Sequence, residues 1–354
     1  MACPSRRSRG CGRDGRPIVT APQLPRVWFE RQVVPDLVPE VAARVTIVGP
    51  AVGQSDVSLK DAVGILAGAR RYDAGLMSRA PALRVIARTG IGYDRVDVEE
   101  ATRRGVAICN TPDAPTISTA EHAITLMLMA AKNIKRAESA LRAGVDSNYY
   151  VRHEAIELDG KTLGLVGFGR IGRHVARICI GFGMSVLAFD PMLPADAFSP
   201  GVRRAASLAE LLQAADVVSL HVPLTEASRG MIGADEFALM KRGAVLVNAA
   251  RGGLVDPDAL LRALDGGALF GVGLDVTAPE PLPPGHPLLG RDDVVVTPHI
   301  ASATADGKVR IFRSALEQAI AVIEGRRPEH LVNPEVWDEV ASRVPASTSA
   351  GQRR

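Results

Sequence analysis

Apolar and polar positions along the chain fall into two runs of short apolar segments separated by longer amphipathic or irregular stretches. The first run holds PIVTA (17–21), ARVTIVG (43–49), AVGILAG (62–68), LRVIARTG (83–90) and GVAICN (105–110), with VVPDLVPEVAA and RYDAGLMSRAP among the intervening stretches. Each apolar segment is short and bounded by turn-forming residues, as in a strand buried on both faces. Strands alternating with helices imply right-handed βαβ crossovers and a parallel sheet. The second run is TLGLVG, SVLAFD, DVVSLHVP (216–223), AVLVNAAR (244–251), LFGVGLDVT (269–277) and VVVTPH (294–299). Six such strands match a full doubly wound sheet.

Between the runs, the turn NTPDAP (110–115) precedes a helix predicted over Thr116 to Ile134, with Ser118 or Thr119 as N-cap and Glu121 near N3. The helix is apolar on most sides, so it should be buried as a bridge between domains. Met127 and Met129 then read as core packing, and His122 as a helix-surface or interface histidine. A last helix is expected over 300–324, after which GRRPEHLVNPEVW returns toward the first run. Residues 1–15, with five basic groups counting Arg16 and almost nothing apolar, read as a disordered tail; the polar stretch from Asp338 should fray.

Chemistry enters at LDGKTLGLVGFGRIGRHVARICIGFGMSVLAFD (158–190), a strand, glycine turn, helix and second strand. Gly167 permits the tight turn, Gly169 lets the backbone approach a pyrophosphate, and Gly172 lets helix and strand lie close. The helix from about Arg170 points its first amides at the phosphates. Asp190 closes the second strand, placed to accept the adenosine ribose hydroxyls. A 2′-phosphate would meet a carboxylate there, which favours NAD over NADP.

Bulk properties narrow the class without changing this reading. A chain of 354 residues suggests two domains, and 47% hydrophobic with 23% charged residues is ordinary for a soluble protein. A net charge of +3 and 4% aromatics argue against nucleic acid, yet do not oppose a small anionic substrate. Cys3, Cys11, Cys109 and Cys179 are scattered, as reduced cytoplasmic thiols would be. No apolar run has the length of a membrane span, and no metal site is expected.

Polar residues cluster where the strands of the second run end, at the edge where such sheets bind ligands. His221 and Pro223 close one strand, Arg251 the next, Asp275 the one after and His299 the last, with Glu280 following in VTAPEP. Arg251 suits a bidentate pair with a substrate carboxylate, polarising the neighbouring carbonyl. His299 suits proton transfer to and from the carbonyl oxygen, and Glu280 would hold its imidazole.

The motifs VGFGRIG with FDP, HVPLT, LVNAARGGLVD, GLDVTAPEP and TPHIASAT together resemble those of the D-isomer-specific 2-hydroxyacid dehydrogenases, over roughly residues 17–337. The resemblance implies an α/β protein of two doubly wound parallel-sheet domains, a Rossmann NAD-binding domain (115–302) inserted into a flavodoxin-like substrate domain (16–114 and 303–337). It implies Arg251, Glu280 and His299 as catalytic residues. Cofactor contacts would come from Gly167, Gly169, Arg170, Ile171, Gly172, Asp190, His221, Val222, Pro223, Asn248, Ala249, Ala250, Arg251, Asp275, His299 and Ser302. Substrate contacts would come from Arg88, Gly90, Ile91 and Gly92 with Arg251 and His299. It further implies homodimerisation through the NAD-binding domain.

Two departures bear on substrate. Phosphoglycerate enzymes of this family usually carry an arginine where Gly68 stands and an asparagine where Pro115 stands. Arg70 or Arg71 could compensate, but 3-phosphoglycerate is disfavoured. The regulatory C-terminal domain of those enzymes is not expected, and Glu280 argues against a formate dehydrogenase, which has glutamine there. The competing expectation is an NAD(H)-sensing interaction protein resembling the C-terminal binding protein corepressors, which share the fold and the triad.

Overall fold

The computed structural model describes residues 23–30, 34–49 and 59–343. The segment PIVTA and both terminal tails beyond these bounds lie outside them.

Two parallel sheets account for the architecture. The first holds β1 (Arg26–Phe29), β2 (Thr46–Val48), β3 (Gly64–Ala67), β4 (Val85–Arg88) and β5 (Ala107–Cys109) in the order β2-β1-β3-β4-β5. The second holds β6 (Thr162–Val166), β7 (Ser185–Phe189), β8 (Val202–Arg204), β9 (Val217–Leu220), β10 (Ala244–Asn248), β11 (Leu269–Leu274) and β12 (Val294–Val296) in the order β12-β11-β10-β9-β6-β7-β8. All pairings are parallel, as continuous apolar strands buried on both faces require. The expected two-domain α/β class is therefore observed.

Several elements differ from expectation. RVWF is a strand and lies second in its sheet; its Val27 and Trp28 are fully buried. A seventh strand, Val202–Arg204, forms the edge of the second sheet; three residues, two of them arginines, carry too little apolar signal to be read. The bridging helix spans Thr116–Ala131 and starts at Pro115 without a side-chain cap, while Ser118 and Thr119 are buried inside it. It ends where Asn133 adopts a left-handed conformation, φ 50, with its amide held by the Glu154 carbonyl at 2.8 Å. A separate polar helix, Ile134–Ala143, follows. The last long helix begins at Ala305, capped by the Thr304 hydroxyl, not at 300. The stretch expected to fray from Asp338 forms the helix Trp337–Ser342, because Val336 and Val340 are buried with Val27 and Phe29 of the first sheet.

The two long helices set the domain geometry. Ala305–Ile323 lays Ala315, Leu316, Ala319 and Ile320 on β1, β3 and β4, so the end of the chain completes the first domain's core. Thr116–Ala131 lies on the second sheet, with fully buried Met127 in the packing. It approaches β11 closely because a Cβ on Gly273 would sit 2.7 Å from the Leu126 Cβ. That approach places His122 next to the end of β11.

Candidate active site

The carboxyl ends of the two sheets face a shared cleft of about 460 Å³. One wall is the 88–94 loop after β4; the other is made by residues 169–171, 221–225, 249–251, 299 and 301–302.

The glycine turn after β6 is built for close approach. Gly167 has φ +96, and its added Cβ would meet the His221 carbonyl oxygen at 2.6 Å; one on Gly172 would meet the Gly167 oxygen at 2.4 Å. A Cβ on Gly169 would meet nothing within 4 Å, so that side of the turn is open. Gly169 caps the twelve-residue helix Arg170–Gly181 without a side chain, which leaves the first-turn amides to an anion. Asp190 accepts from the Phe168 amide at 2.9 Å and the Met192 amide at 3.0 Å, which fixes its carboxylate beside the turn. This open turn and tethered acid fit the diphosphate and ribose of a dinucleotide. Beside them, burial pushes the His221 imidazole down to about 4, and its Nε2 lies 2.9 Å from Ser219 Oγ.

His299 sits in a strained turn, φ 55, that a buried acid imposes. Asp275, 1% exposed, accepts from the Ile300 and Ala301 amides, each at 2.8 Å, and from the Thr297 hydroxyl at 2.6 Å. The Thr297 hydroxyl gives its proton to Asp275, so His122 Nε2, 2.9 Å away, must donate to it. Burial opposes ionisation of Asp275, but these donors outweigh it and hold the carboxyl below its usual range. The His299 amide donates to the Asp275 carbonyl at 2.8 Å, and its Nδ1 lies 2.8 Å from Glu280 Oε1. With the carboxylate as acceptor, Nδ1 carries a proton and Nε2 remains for the cleft. Burial alone would raise the Glu280 carboxyl; the hydrogen bond and charge of His299, with Arg95 at 3.5 Å and Arg251, bring it below the ordinary carboxylate range.

Arg251 reaches across the cleft. Its Nε donates to Asp94 at 3.0 Å and its Nη1 to the Ala250 carbonyl at 2.7 Å. Its Nη2 lies where a Cβ on Gly92 would be, 1.5 Å from that point. Asp94 is lowered because the charge and hydrogen bond of Arg251 outweigh its burial. Arg88 lines the cleft and is also tied into the loop. Its Nε donates to the Gly92 carbonyl and its Nη1 to the Ala67 carbonyl, both at 2.8 Å, so it shapes the loop. Burial first, then the charge of Arg251, lowers Arg88. Within that loop the amides of Gly90, Ile91 and Gly92 make no hydrogen bond among the described residues, and all three residues face the cleft.

Of the sequence-derived residues, Arg88, Gly90, Ile91, Gly92, Gly169, Arg170, Ile171, His221, Val222, Pro223, Ala249, Ala250, Arg251, His299 and Ser302 line the cleft. Gly167, Gly172, Asp190, Asn248, Asp275 and Glu280 stand behind it. Asn248, 1% exposed, ties the Arg251 carbonyl and the Ala250 amide, and buried Asp275 holds the His299 turn. Sequence reasoning missed Asp94 and Arg95 as partners of Arg251 and Glu280, and Thr297 as a partner of Asp275. Asp94 and Arg95 follow the glycines of TGIGYDRVD after a single tyrosine, and that proximity was the available signal.

The family described as "D-isomer specific 2-hydroxyacid dehydrogenase, NAD binding domain" matches residues 124–301. A glyoxylate reductase of Korarchaeum cryptofilum is 42% identical over 266 residues, 75% of this chain and 80% of that protein. The chain belongs to the D-isomer specific 2-hydroxyacid dehydrogenases. NAD is the cofactor of this dehydrogenase. A D-3-phosphoglycerate dehydrogenase of Methanocaldococcus jannaschii is 41% identical over 277 residues, 78% of this chain; the match spans only 52% of that relative. Among solved structures, the TT0316 protein of Thermus thermophilus superposes with a TM-score of 0.78 at 39% identity, covering 87% of this dehydrogenase and 99% of that chain. A D-lactate dehydrogenase of Aquifex aeolicus, solved with NAD and lactic acid, gives a TM-score of 0.75 at 30% identity over 87% and 98%.

Proposed function

We propose that this dehydrogenase interconverts a D-2-hydroxy acid and its 2-oxo acid, with Arg251, Glu280 and His299 as its working residues. One observation carries the reading: Arg251 and His299, the latter held by Glu280 from behind, line a single cleft with three amides that make no hydrogen bond among the described residues. When bound, the nicotinamide cofactor would supply a hydride for C2 of the oxo acid in its reduced form, or take one from C2 of the hydroxy acid in its oxidised form. The Gly90, Ile91 and Gly92 amides and Arg251 Nη2 hold the substrate carboxylate, and the Arg251 charge polarises the adjacent carbonyl. His299 Nε2 delivers the proton to the carbonyl oxygen, or removes it in the reverse direction, while Glu280 fixes the ring through Nδ1. Residues 169–172 hold the diphosphate, Asp190 the ribose, and residues 221–223 and 249–250, with Ser302, the rest of the cofactor.

On this reading the nucleotide domain, 115–302, interrupts a substrate domain formed by 16–114 and 303–337. Closure of one domain on the other excludes water from the hydride path. We assign the protein to the cytoplasm, where its buried Cys109 and Cys179 stay reduced; burial pushes both thiols up to about 12. A homodimer through the nucleotide domain is supported by the helix Ile134–Ala143, which has no buried residue, and by Leu141, Tyr150 and Val151 at 67, 91 and 81% exposure. Light scattering on the purified chain tests that assembly.

The activity is tested by NADH oxidation with glyoxylate, hydroxypyruvate, pyruvate, phenylpyruvate and 3-phosphohydroxypyruvate. Saturable turnover on at least one is expected. Turnover on none would refute the enzyme reading.

A further inference from the structure

Arg95 is a cation that the first sheet brings to the acid–base pair, and the proposed chemistry does not use it. It stands just beyond the 88–94 loop, where its carbonyl accepts from the amide of fully buried Tyr72 at 2.8 Å. Its Nη1 donates to the Ala69 carbonyl, beyond the end of β3. Backbone and side chain are thus both tied to the edge of the first sheet. That leaves Nη2, which lies 3.5 Å from Glu280 Oε1 in the loop after β11 of the other sheet. The same Oε1 lies 2.8 Å from His299 Nδ1. One carboxylate oxygen is therefore shared between a guanidinium from the first sheet and an imidazole from the second.

Sharing that oxygen bears on the proton of His299. A carboxylate beside an imidazole favours the imidazolium, and a guanidinium on the same carboxylate offsets part of its charge. The other charged groups in and beneath the cleft have partners of their own among the described residues. Arg251 is paired with Asp94 at 3.0 Å. Asp275, under the His299 turn, accepts from the Ile300 and Ala301 amides and the Thr297 hydroxyl, with His122 behind that hydroxyl. Arg88 gives its Nε and Nη1 to the Gly92 and Ala67 carbonyls, and burial holds His221 neutral by pushing it down to about 4. Removing the Arg95 charge therefore alters what Glu280 presents to His299 while leaving Arg251, Glu280 and His299 in the chain.

We infer that Arg95 is a positioning residue for proton transfer: held by the first sheet, it shares Glu280 Oε1 with His299 and so sets the pH window of the reaction. It acts through Glu280 and has no contact with substrate or cofactor in the proposed binding mode. The inference rests on the proposed role of His299 in proton transfer. Without the Arg95 charge, Glu280 stabilises the imidazolium undiminished. Reduction of the oxo acid consumes the His299 proton, whereas oxidation of the hydroxy acid needs an unprotonated Nε2. The two directions must therefore respond with opposite sign.

Arg95→Gln tests this through pH profiles of kcat/KM, measured with the best 2-oxo acid and, in reverse, with its D-2-hydroxy acid. The limb that reports His299 should move upwards by about half a pH unit in both profiles, a size limited by side chains 39 and 25% exposed. At fixed pH, reduction above the limb then gains about threefold and oxidation below it loses about threefold. A packing defect would lower both directions at every pH. Arg95→Lys keeps the charge and should hold both limbs near their wild-type positions. Far-ultraviolet circular dichroism and the melting temperature verify that both variants are folded. An NMR titration of the His299 ring in the NAD-loaded protein, assigned by its absence from His299→Ala, reads the same shift without turnover. Limbs and ring titration unmoved in folded Arg95→Gln, or moved equally in Arg95→Lys, would overturn the inference. A moved ring titration in a protein that reduces no 2-oxo acid would overturn the catalytic reading and leave the effect of Arg95 on His299 standing.

Discussion

Gly92→Ala perturbs the placement of Arg251 and of its partner Asp94 while leaving every charge and donor of the cleft in the chain. Gly92 does not lie in the left-handed region, so alanine brings no backbone strain. The added Cβ would stand 1.5 Å from Arg251 Nη2, 2.6 Å from its Cζ and 2.8 Å from Asp94 Oδ1. Ordinary contact begins at 3.4 Å, so the guanidinium must retreat by roughly 2 Å. The moving group is the end of a long side chain at the cleft surface, so stability should change by only about 0.5 kcal/mol. Function should not escape as lightly. A misplacement of 1 Å in a positioning group costs about a hundredfold, equivalent to about 2.7 kcal/mol of transition-state stabilisation. We therefore expect kcat/KM for the best 2-oxo acid to fall at least about a hundredfold, with the NADH dissociation constant and the melting temperature nearly unchanged. Steady-state NADH oxidation, cofactor fluorescence titration and calorimetry read the three quantities. A folded Gly92→Ala protein with kcat/KM within about threefold of wild type would refute the role given to Arg251 and to its contact with the loop.

Three further outcomes follow from the same geometry. His299→Ala should lose about 10²- to 10⁴-fold in kcat while NADH still binds; a small change in turnover would remove His299 from the proton path. Asp190→Ala should weaken NAD more than NADP, measured as a ratio of dissociation constants, and an unmoved ratio would contradict the ribose assignment. His221, held near 4 in the folded protein against 6.5 in the unfolded chain, gives a pH dependence with a definite sign. Below 6.5 the unfolded chain takes up a proton that the folded one refuses until about 4, so stability is full above that window and is lost as pH falls through it. His221→Gln should flatten the fall in melting temperature between these limits; a slope equal to wild type would show that the ring is not held neutral.

The strands that matter most were legible because burial on both faces writes itself as an uninterrupted apolar run. The glycine turn was legible because close approaches at Gly167 and Gly172 leave no room for a Cβ, while Gly169 between them keeps its side of the turn open. Short elements were not. RVWF looks like a fragment of a loop until its neighbours bury Trp28, and VRR forms an edge strand through backbone pairing with only Val202 packed on the core. The helix Ile134–Ala143 has no buried face and so no internal reason to be recognised. Within the site, sequence position identified Arg251, Glu280 and His299 through their strand ends, but it could not show what holds them. Arg88 illustrates the limit: a cation beside two glycines reads as an anion ligand, but its sequence position could not show that two of its donors hold the Gly92 carbonyl in its own loop and the Ala67 carbonyl in the sheet. Asp275 illustrates the converse, an acid at a ligand-binding edge that proves to be a buried anchor for the His299 turn.

The contacts of Asp94 and Arg95 have a consequence for how ligands arrive. These neighbours in sequence carry opposite charges and grip opposite charges across the cleft, Asp94 on Arg251 and Arg95 on Glu280. Four charges so arranged form two antiparallel dipoles with no net charge, and such a field dies away much faster with distance than that of a lone cation. An anion in solution is therefore not drawn in from afar by Arg251. It meets that arginine only on reaching the loop, where Asp94 on Nε and the Ala250 carbonyl on Nη1 leave Nη2 for it. Capture then depends on contact within the cleft, and Asp94 keeps the guanidinium in place before the acid arrives.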